Sequence, residues 1–271
     1  HYLAKHYKAS HMNYLHSFYG IGITLGPTIM ALTLKEESWR LGYIIVGFIL
    51  FIISLVILFS MKLWHQESKS VTPEEHEHIP LKTMLKKRGS SNSILIFLLY
   101  VHLESLIGVW IASYIFIEKG VSYSTAALFT TIYFLGLTVG RILSGFASHK
   151  MRSKHLILIG EFIVGMSITL LILNPFNHLI IFYIIVFLFG LGTAPIYPNM
   201  MYLNNDVFKR EEISRMMSLQ MGIGYIGFGL LTPLAGLFFD LVSMTYYPYF
   251  ILLVTLLLVT LTIYYFRHKN T

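Results

Sequence analysis

The chain contains no cysteine, and charged residues fill only 12% of its 271 positions. The first absence excludes disulfides and every metal site built on thiolates. The second excludes an ordinary soluble domain, where roughly a quarter of residues are charged. Acidic residues are the scarcer sign, 13 against 20 lysines and arginines, which leaves a formal net charge of +7. Also missing are the patterns G-x-S-x-G, H-E-x-x-H and a phosphate-binding P-loop, and with them the hydrolase, zinc-protease and ATP-driven chemistries they carry. No enzyme activity, cofactor or metal is therefore expected. The opening residues, HYLAKHYKASHMN, are polar and basic and do not read as a signal peptide.

What is present is apolar surface in long runs. Hydrophobic residues make up 55% of the chain, and the mean hydropathy is +0.67. A bilayer core about 30 Å thick takes roughly 20 apolar residues to cross as a helix. Runs of that length occupy residues 12–33, 40–62, 93–116, 125–147, 155–174, 178–203, 214–239 and 246–266. They are continuously apolar rather than alternating, so they predict helices and not barrel strands. The expected fold is all-α, a polytopic transmembrane helical bundle whose surrounding partner is the lipid bilayer.

The charges sit between these runs. With eight spans both termini share one side, and the segments on that side carry Lys5, Lys8, Lys62, Lys69, Lys82, Lys86, Lys87, Arg88, Lys150, Arg152, Lys154, Lys209, Arg210, Arg215, Arg267 and Lys269. The other side holds only Lys35, Arg40 and Lys119. Basic residues collect on the cytoplasmic side of membrane proteins, which predicts both termini of the chain in the cytoplasm and a cell-membrane location. The basic balance is thus a topology signal, and no nucleic-acid partner is expected.

One connection is unlike the rest. Residues 63–92 form a long polar segment that divides the chain into residues 1–62, with two spans, and residues 93–271, with six. Within it, PLKTMLKKRG places Leu81, Met84 and Leu85 at helical spacing among basic residues, the pattern of a short helix on a membrane surface. His65, His76 and His78 with Glu74, Glu75 and Glu77 suggest a metal site. Residues two apart diverge on a helix, however, so a solvated loop is the expectation there.

The stretch YFLGLTVGRILSGFASHKMRSK, residues 133–154, carries Gly136, Gly140, Arg141 and Gly145 in the order G-x-x-x-G-R-x-x-x-G before a short basic loop. It resembles the signature at the junction of the eighth and ninth helices of the major facilitator superfamily of secondary transporters. Members have two six-helix halves joined by a long cytoplasmic loop. After Gly145 the family's fuller motif has an acidic residue and a glycine, where this sequence has His149 and Arg152, so that loop's arginine–acid pairing is not carried over. The stretches MNYLHSFYGIGITLGP (12–27), LLYVHLESLIGVWIASYIF (98–116), FGLGTAPIYPNM (189–200) and MSLQMGIGYIGFGLLTPLAGLFFD (217–240) look like helices five, seven, ten and eleven of the fucose permease-like, sugar-transporting branch. The resemblance covers essentially the whole chain. It implies a start near the end of the fourth family helix, about eight helices of twelve, with the first four missing.

Ionisable groups in mid-membrane are costly and tend to face a cavity or a partner. Glu104 lies about 16 Å into its span at 1.5 Å per residue, near the bilayer midplane. Tyr100 and Gly108, four residues to either side, share its face. Its candidate role is to couple protons or bind sugar hydroxyls, against a structural carboxyl satisfied by a neighbouring helix. His102 points to another face and is expected to be packed or hydrogen-bonded. Glu161 is expected to pair with Arg141 or Lys154. Arg141 is expected near its helix end, snorkelling to the interface or paired with such a carboxylate. Gly136, Gly140 and Gly145 would let a second helix approach closely. Pro195 and Pro198 are expected to bend their span, which with Arg141 and Glu161 makes them candidates for gating.

Asn13, His16, Asn199, Gln220 and Tyr225 offer hydrogen bonds of the kind that read sugar hydroxyls, or that join helices. Trp110 and Tyr133 lie deeper, as core residues or a sugar-stacking platform. Trp39, Trp64, Tyr246 and Tyr247 fall at span ends as interfacial anchors. The reading these expectations add up to is a secondary active transporter that moves a small organic solute, such as a sugar, by alternating access coupled to protons. The rivals are a drug efflux carrier of the same superfamily and a truncated membrane protein that does not transport. Substrate, direction, coupling ion and oligomeric state stay open at this level.

Overall fold

Long runs of Leu, Ile, Val and Phe can lie in hydrocarbon only if every backbone group is satisfied within the segment, and the α-helix does that. The computed structural model describes residues 8–35, 39–70, 80–173 and 178–268. The helices are α1 (Ala9–Lys35), α2 (Trp39–Ser70), the short α3 (Leu81–Lys86), α4 (Ser90–Lys119), α5 (Tyr123–Ala147), α6 (Ser153–Leu173), α7 (Leu179–Thr193), α8 (Ile196–Val207), α9 (Arg210–Ile226), α10 (Thr232–Leu241) and α11 (Tyr247–His268).

Among the described residues, seven helical stretches are long and apolar enough to cross a membrane. They are Arg40–Met61, Ser90–Lys119, Thr125–Ala147, Ser153–Leu173, Leu179–Val207, Glu211–Leu241 and Met244–His268. The eighth expected run, 12–33, is helical within α1 but does not join them. Asn13, His16, Ser17, Thr24, Thr28 and Thr33 dilute its apolar character. The hydroxyls of Ser17, Thr28 and Thr33 donate to carbonyls one turn earlier, at Asn13 (2.9 Å), Thr24 (2.7 Å) and Ile29 (3.1 Å), the usual way such groups are satisfied inside a helix.

The chain divides into two compact units, one of residues 22–78 and one of residues 1–21 with 79–271. In the first, the apolar side chains of α2 from Leu41 to Met61 are mostly exposed. The helix continues to Ser70, past the expected end of its span. Glu74, Glu75, His76, Glu77 and His78 lie outside the described residues. The larger unit holds the start of α1 and all of α3 to α11.

Its centre is α4, which packs against α5, α9 and α11, while α7 lies between α5 and α6. Glycines set the tightest crossings. A methyl group at Gly136 would overlap the carbonyl of Phe187, and one at Gly190 the carbonyl of Tyr133. Gly160 and Gly192 bring α6 and α7 into similar backbone contact. Small residues permit this approach in membranes, where dispersion contacts between helices replace the hydrophobic effect as the cohesive term. Gly145 faces the ring of Tyr14 on α1. Elsewhere glycine answers a dihedral demand: Gly89 (φ 79°) opens α4 and Gly120 (φ 61°) closes it, the latter donating to the Phe116 carbonyl at 3.1 Å.

Two apolar runs that read as single helices are broken. The sixth run ends as α7 at Thr193 and resumes as α8 at Ile196, because Pro195 has no N–H to continue the ladder. In the seventh, residues 227–231 form a π-helical turn between α9 and α10. Pro233 at the start of α10 removes the next donor, and a π turn accommodates that defect. Thr232 repairs the site: its hydroxyl donates to the Gly227 carbonyl (3.2 Å) and lies 2.5 Å from Ser105 Oγ and 3.3 Å from His102 Nδ1. The Trp110 indole N–H donates to the Thr232 carbonyl at 3.1 Å, with its ring over Gly236.

Of the expected surface-helix residues, Met84 is buried in the bundle while Leu81 and Leu85 are exposed. Lys87, just after α3, is ion-paired to Glu212 at the start of α9. Tyr247 corrects its expected role as an interfacial anchor. It is fully buried, stacked on Tyr114 with ring centroids 5.0 Å apart, and donates to the Leu106 carbonyl. Its neighbour Tyr246 is the exposed one.

Candidate functional site: a cavity around an arginine–glutamate pair

A cavity of about 660 Å³ opens inside the larger unit, within the roughly 300–1,000 Å³ typical of small-molecule sites. Five helices and the π turn supply its wall. Alpha-4 contributes Tyr100, Glu104 and Gly108 at four-residue spacing, together with Phe97 and Ser105. From α1 come His16 and Tyr19, from α5 Phe134 and Arg141, from α8 Tyr197, and from α9 Met221 and Tyr225. Phe228 belongs to the π turn.

Among the described residues, Glu104 and Arg141 are the only carboxylate and guanidinium on this wall. Arg141 Nη2 lies 3.7 Å from Glu104 Oε2, longer than a charge-assisted hydrogen bond of about 2.7–2.9 Å. At that separation the attraction is about 4 kcal/mol for an effective dielectric near 20. The Tyr100 hydroxyl donates to the same carboxylate oxygen. Arg141 is held by more than the carboxylate: Nη1 donates to the His16 carbonyl at 3.1 Å, and its Cζ stands 5.4 Å from the centre of the Tyr19 ring. Its side chain is 2% exposed against 20% for Glu104. No hydrogen-bond partner meets its Nε.

This arrangement corrects the expected partner of Arg141. Its guanidinium turns inward to Glu104, neither reaching the interface nor Glu161. Glu161 is instead buried between α6 and α11, where Thr262 Oγ1 donates to its Oε1 at 2.6 Å and its Oε2 has no hydrogen-bond partner. Thr262→Val is therefore expected to destabilise the bundle by about 1–3 kcal/mol, because it leaves a buried carboxyl wholly unsatisfied. A thermal denaturation midpoint unchanged from the parent would sink that expectation.

The other expected residues divide in two groups. His16 and Tyr225 are on the cavity wall, the His16 ring edge-on to Tyr197 with centroids 4.7 Å apart. Asn13, one turn before His16, is buried and does not line it. Gln220 is turned into a helix junction, where its amide exchanges hydrogen bonds with Asn204 (2.7 and 3.3 Å) and donates to Ser93 Oγ (2.8 Å). Asn199 donates to the Pro195 carbonyl (2.7 Å) and Ser144 Oγ (3.2 Å), below the helix break. Tyr133 is buried behind the wall, its hydroxyl donating to the backbone carbonyl of Glu104 and lying 3.3 Å from Thr193 Oγ1. Gly136, Gly140 and Gly145 serve the helix crossings, and Pro195 and Pro198 flank Tyr197.

Tyr197, Tyr19, Phe97 and Phe228 are wall residues that the sequence reading passed over. Two of them left a trace. Tyr197 sits between two prolines in APIYPNM, so a break in the helix exposes it, and Tyr19 follows His16 at three-residue spacing on one helix face. Phe97 and Phe228 look like any core phenylalanine.

Comparison with known proteins bears on the whole chain. A family model described as Major Facilitator Superfamily matches residues 1–118 and 93–271. Bypass of stop codon protein 6 of Saccharomyces cerevisiae is 19% identical over 266 residues, covering 88% of this chain and 54% of that protein. The chain thus spans about half the length of the curated relative it matches. A crystal structure of a bacterial homologue of the iron transporter ferroportin, in an outward-facing state, superposes with a TM-score of 0.73 at 16% identity, over 97% of this chain and 66% of the other. That similarity is one of fold.

Proposed function

Since the chain belongs to the major facilitator superfamily, we propose that it acts as a secondary active transporter, moving a small organic solute by alternating access with proton coupling. The observation that carries this reading is the cavity itself. Among the described residues, one ion pair faces this apolar cavity, one partner held rigidly and the other, Glu104, more exposed and supplied with a second partner in Tyr100. A carboxylate so placed can gain and lose a proton while the bundle changes the side on which it opens.

The helix breaks at Pro195 and Gly227–Leu231 fit the same reading, because both adjoin wall residues, Tyr197 and Phe228. Broken helices line the sites of many transporters and absorb backbone change with little loss of packing. A cell-membrane location with the basic connections in the cytoplasm belongs to this proposal. Sugar as the solute rests on the likeness to the fucose permease-like branch. Gln220 and Asn199, the amides best suited to read hydroxyls, are committed to neighbouring helices. Export of amphipathic compounds is the second reading, favoured by the aromatic wall and Met221.

Reconstitution of the full chain into proteoliposomes with an imposed proton gradient, against a panel of radiolabelled organic solutes, tests the proposal. The parent is expected to accumulate at least one solute when the gradient is present. Glu104→Gln is expected to lose gradient-driven accumulation by about 10-fold or more while keeping solute-for-solute exchange, since removing a proton-transfer group typically costs 10²–10⁴-fold in the step it serves. Accumulation by Glu104→Gln with the parent's pH dependence would overturn the assignment of Glu104.

A further inference from the structure

We propose that the cavity takes an organic anion, an aromatic or otherwise apolar body carrying one carboxylate, and that Arg141 anchors that carboxylate by displacing Glu104. The inference rests on the reading of this cavity as the solute site and names the solute's class. It follows from an asymmetry within the ion pair.

The positive member is permanent. A guanidinium does not lose its proton in a protein, and Arg141 is fixed by the His16 carbonyl and the Tyr19 ring at 2% exposure. The negative member is removable. Glu104 stands at 3.7 Å rather than in close contact, is ten times more exposed, and is already hydrogen-bonded by Tyr100 through the oxygen nearest the arginine. When Glu104 takes up a proton, the buried cation is left without a counter-ion. A second anion then restores what was lost.

The geometry of the guanidinium agrees. Its Nε has no hydrogen-bond partner although it is buried on the cavity wall, and Nη2 stands 3.7 Å from Glu104 Oε2. Nε and Nη2 form the edge of the guanidinium that a carboxylate can grip with two parallel hydrogen bonds. The other titratable groups around the guanidinium are His16 and Tyr19 from α1, Tyr100 from α4, Tyr133 on its own helix, Tyr197 from α8 and Tyr225 from α9. All are phenols or an imidazole, so none brings a negative charge in its ordinary state.

Other solutes fit less well. A cation binding Glu104 would face a permanent like charge a few ångströms away, and a neutral solute could not take Glu104's place as counter-ion. The rest of the wall sets the body of the solute. Phe97, Phe134, Tyr197 and Phe228 present ring surface, suited to an aromatic or aliphatic skeleton and not to one studded with hydroxyls.

Equilibrium binding of four tritiated probes of one size class to the purified full chain in detergent tests this: 2-naphthoate, its neutral amide, the cationic 2-naphthylmethylamine, and glucose. Naphthoate is expected to bind at least 10-fold more tightly than each of the other three. Glu104→Gln is expected to raise naphthoate affinity about 10-fold by removing the internal competitor. The Glu104→Gln/Arg141→Gln double variant, which removes both charges and leaves none stranded, is expected to bind naphthoate no better than the amide, with its fold checked by circular dichroism. Tighter binding of the amide, the amine or glucose would overturn the anion proposal while leaving the cavity a solute site. So would unaltered naphthoate affinity in either variant. Binding of none of the four would overturn the cavity reading along with it.

Discussion

Gly190→Ala is expected to cost the bundle about 3 kcal/mol, whereas Gly165→Ala, at a half-buried position of α6, is expected to be neutral or slightly stabilising. The added methyl at Gly190 would overlap the Tyr133 carbonyl and meet Leu137 N at 2.6 Å and Gly136 C at 3.0 Å. These are backbone atoms, so no rotamer change relieves the clash and α5 and α7 must move apart. Overpacking usually costs about 1–3 kcal/mol, and the upper end applies where nothing at the contact can yield. At Gly165 a Cβ meets nothing within 4 Å, and alanine is about 1 kcal/mol the better helix former. Thermal denaturation monitored by size-exclusion chromatography in detergent distinguishes the two. Equal midpoints would show that the glycine seam does not hold the helices together.

The consequence reaches the cavity. Tyr133 lies on the crossed face of α5 and donates to the backbone carbonyl of Glu104, while Gly140, next to Arg141, faces the Ala194 methyl and the Leu191 carbonyl of the same seam. Loosening this crossing shifts both members of the ion pair. If the chain transports as proposed, Gly190→Ala is therefore expected to lose solute accumulation in proteoliposomes even at temperatures where it remains folded.

Removing Glu104 and removing Arg141 are expected to be unequal and strongly non-additive. Glu104→Leu strands a guanidinium that is 2% exposed and cannot become neutral. Breaking a buried pair in that way costs about 3–5 kcal/mol. Arg141→Leu strands a carboxyl that is more exposed, keeps the Tyr100 hydrogen bond and can take up a proton; the cost is then about 1–3 kcal/mol. The double variant leaves no charge behind and is expected to be more stable than Glu104→Leu alone, with an interaction energy of about 2 kcal/mol between the sites. Chemical denaturation of the four proteins measures the cycle. Additive changes would mean that the 3.7 Å separation carries no effective coupling.

Much of the fold was legible because its causes are local. Seven of the eight apolar runs are membrane-length helices, since length and hydropathy are properties of a single segment. Pro195 ends α7 for a reason contained in its own ring. The glycines of G-x-x-x-G-R-x-x-x-G sit at helix crossings because small residues at that spacing make a flat stripe wherever the partner comes from. Glu104 with Tyr100 and Gly108 share a face by helical periodicity, and that face is on the cavity wall.

Partner choice was not legible. For Arg141, depth along the helix favours the interface or a carboxylate such as Glu161. The rotation of α5 about its axis, set by Gly136 and Gly140 against α7, aims the arginine toward α4 instead, and Glu161 is left to Thr262. The same holds for Gln220, whose amide is drawn to Asn204 and Ser93, and for Tyr197, which the break after Thr193 brings to the wall. The sequence by itself determined which segments are apolar helices, where they break and where they can touch. Only the tertiary structure decided which polar groups meet, because a buried charge settles against whatever partner the rigid packing of several helices places nearest.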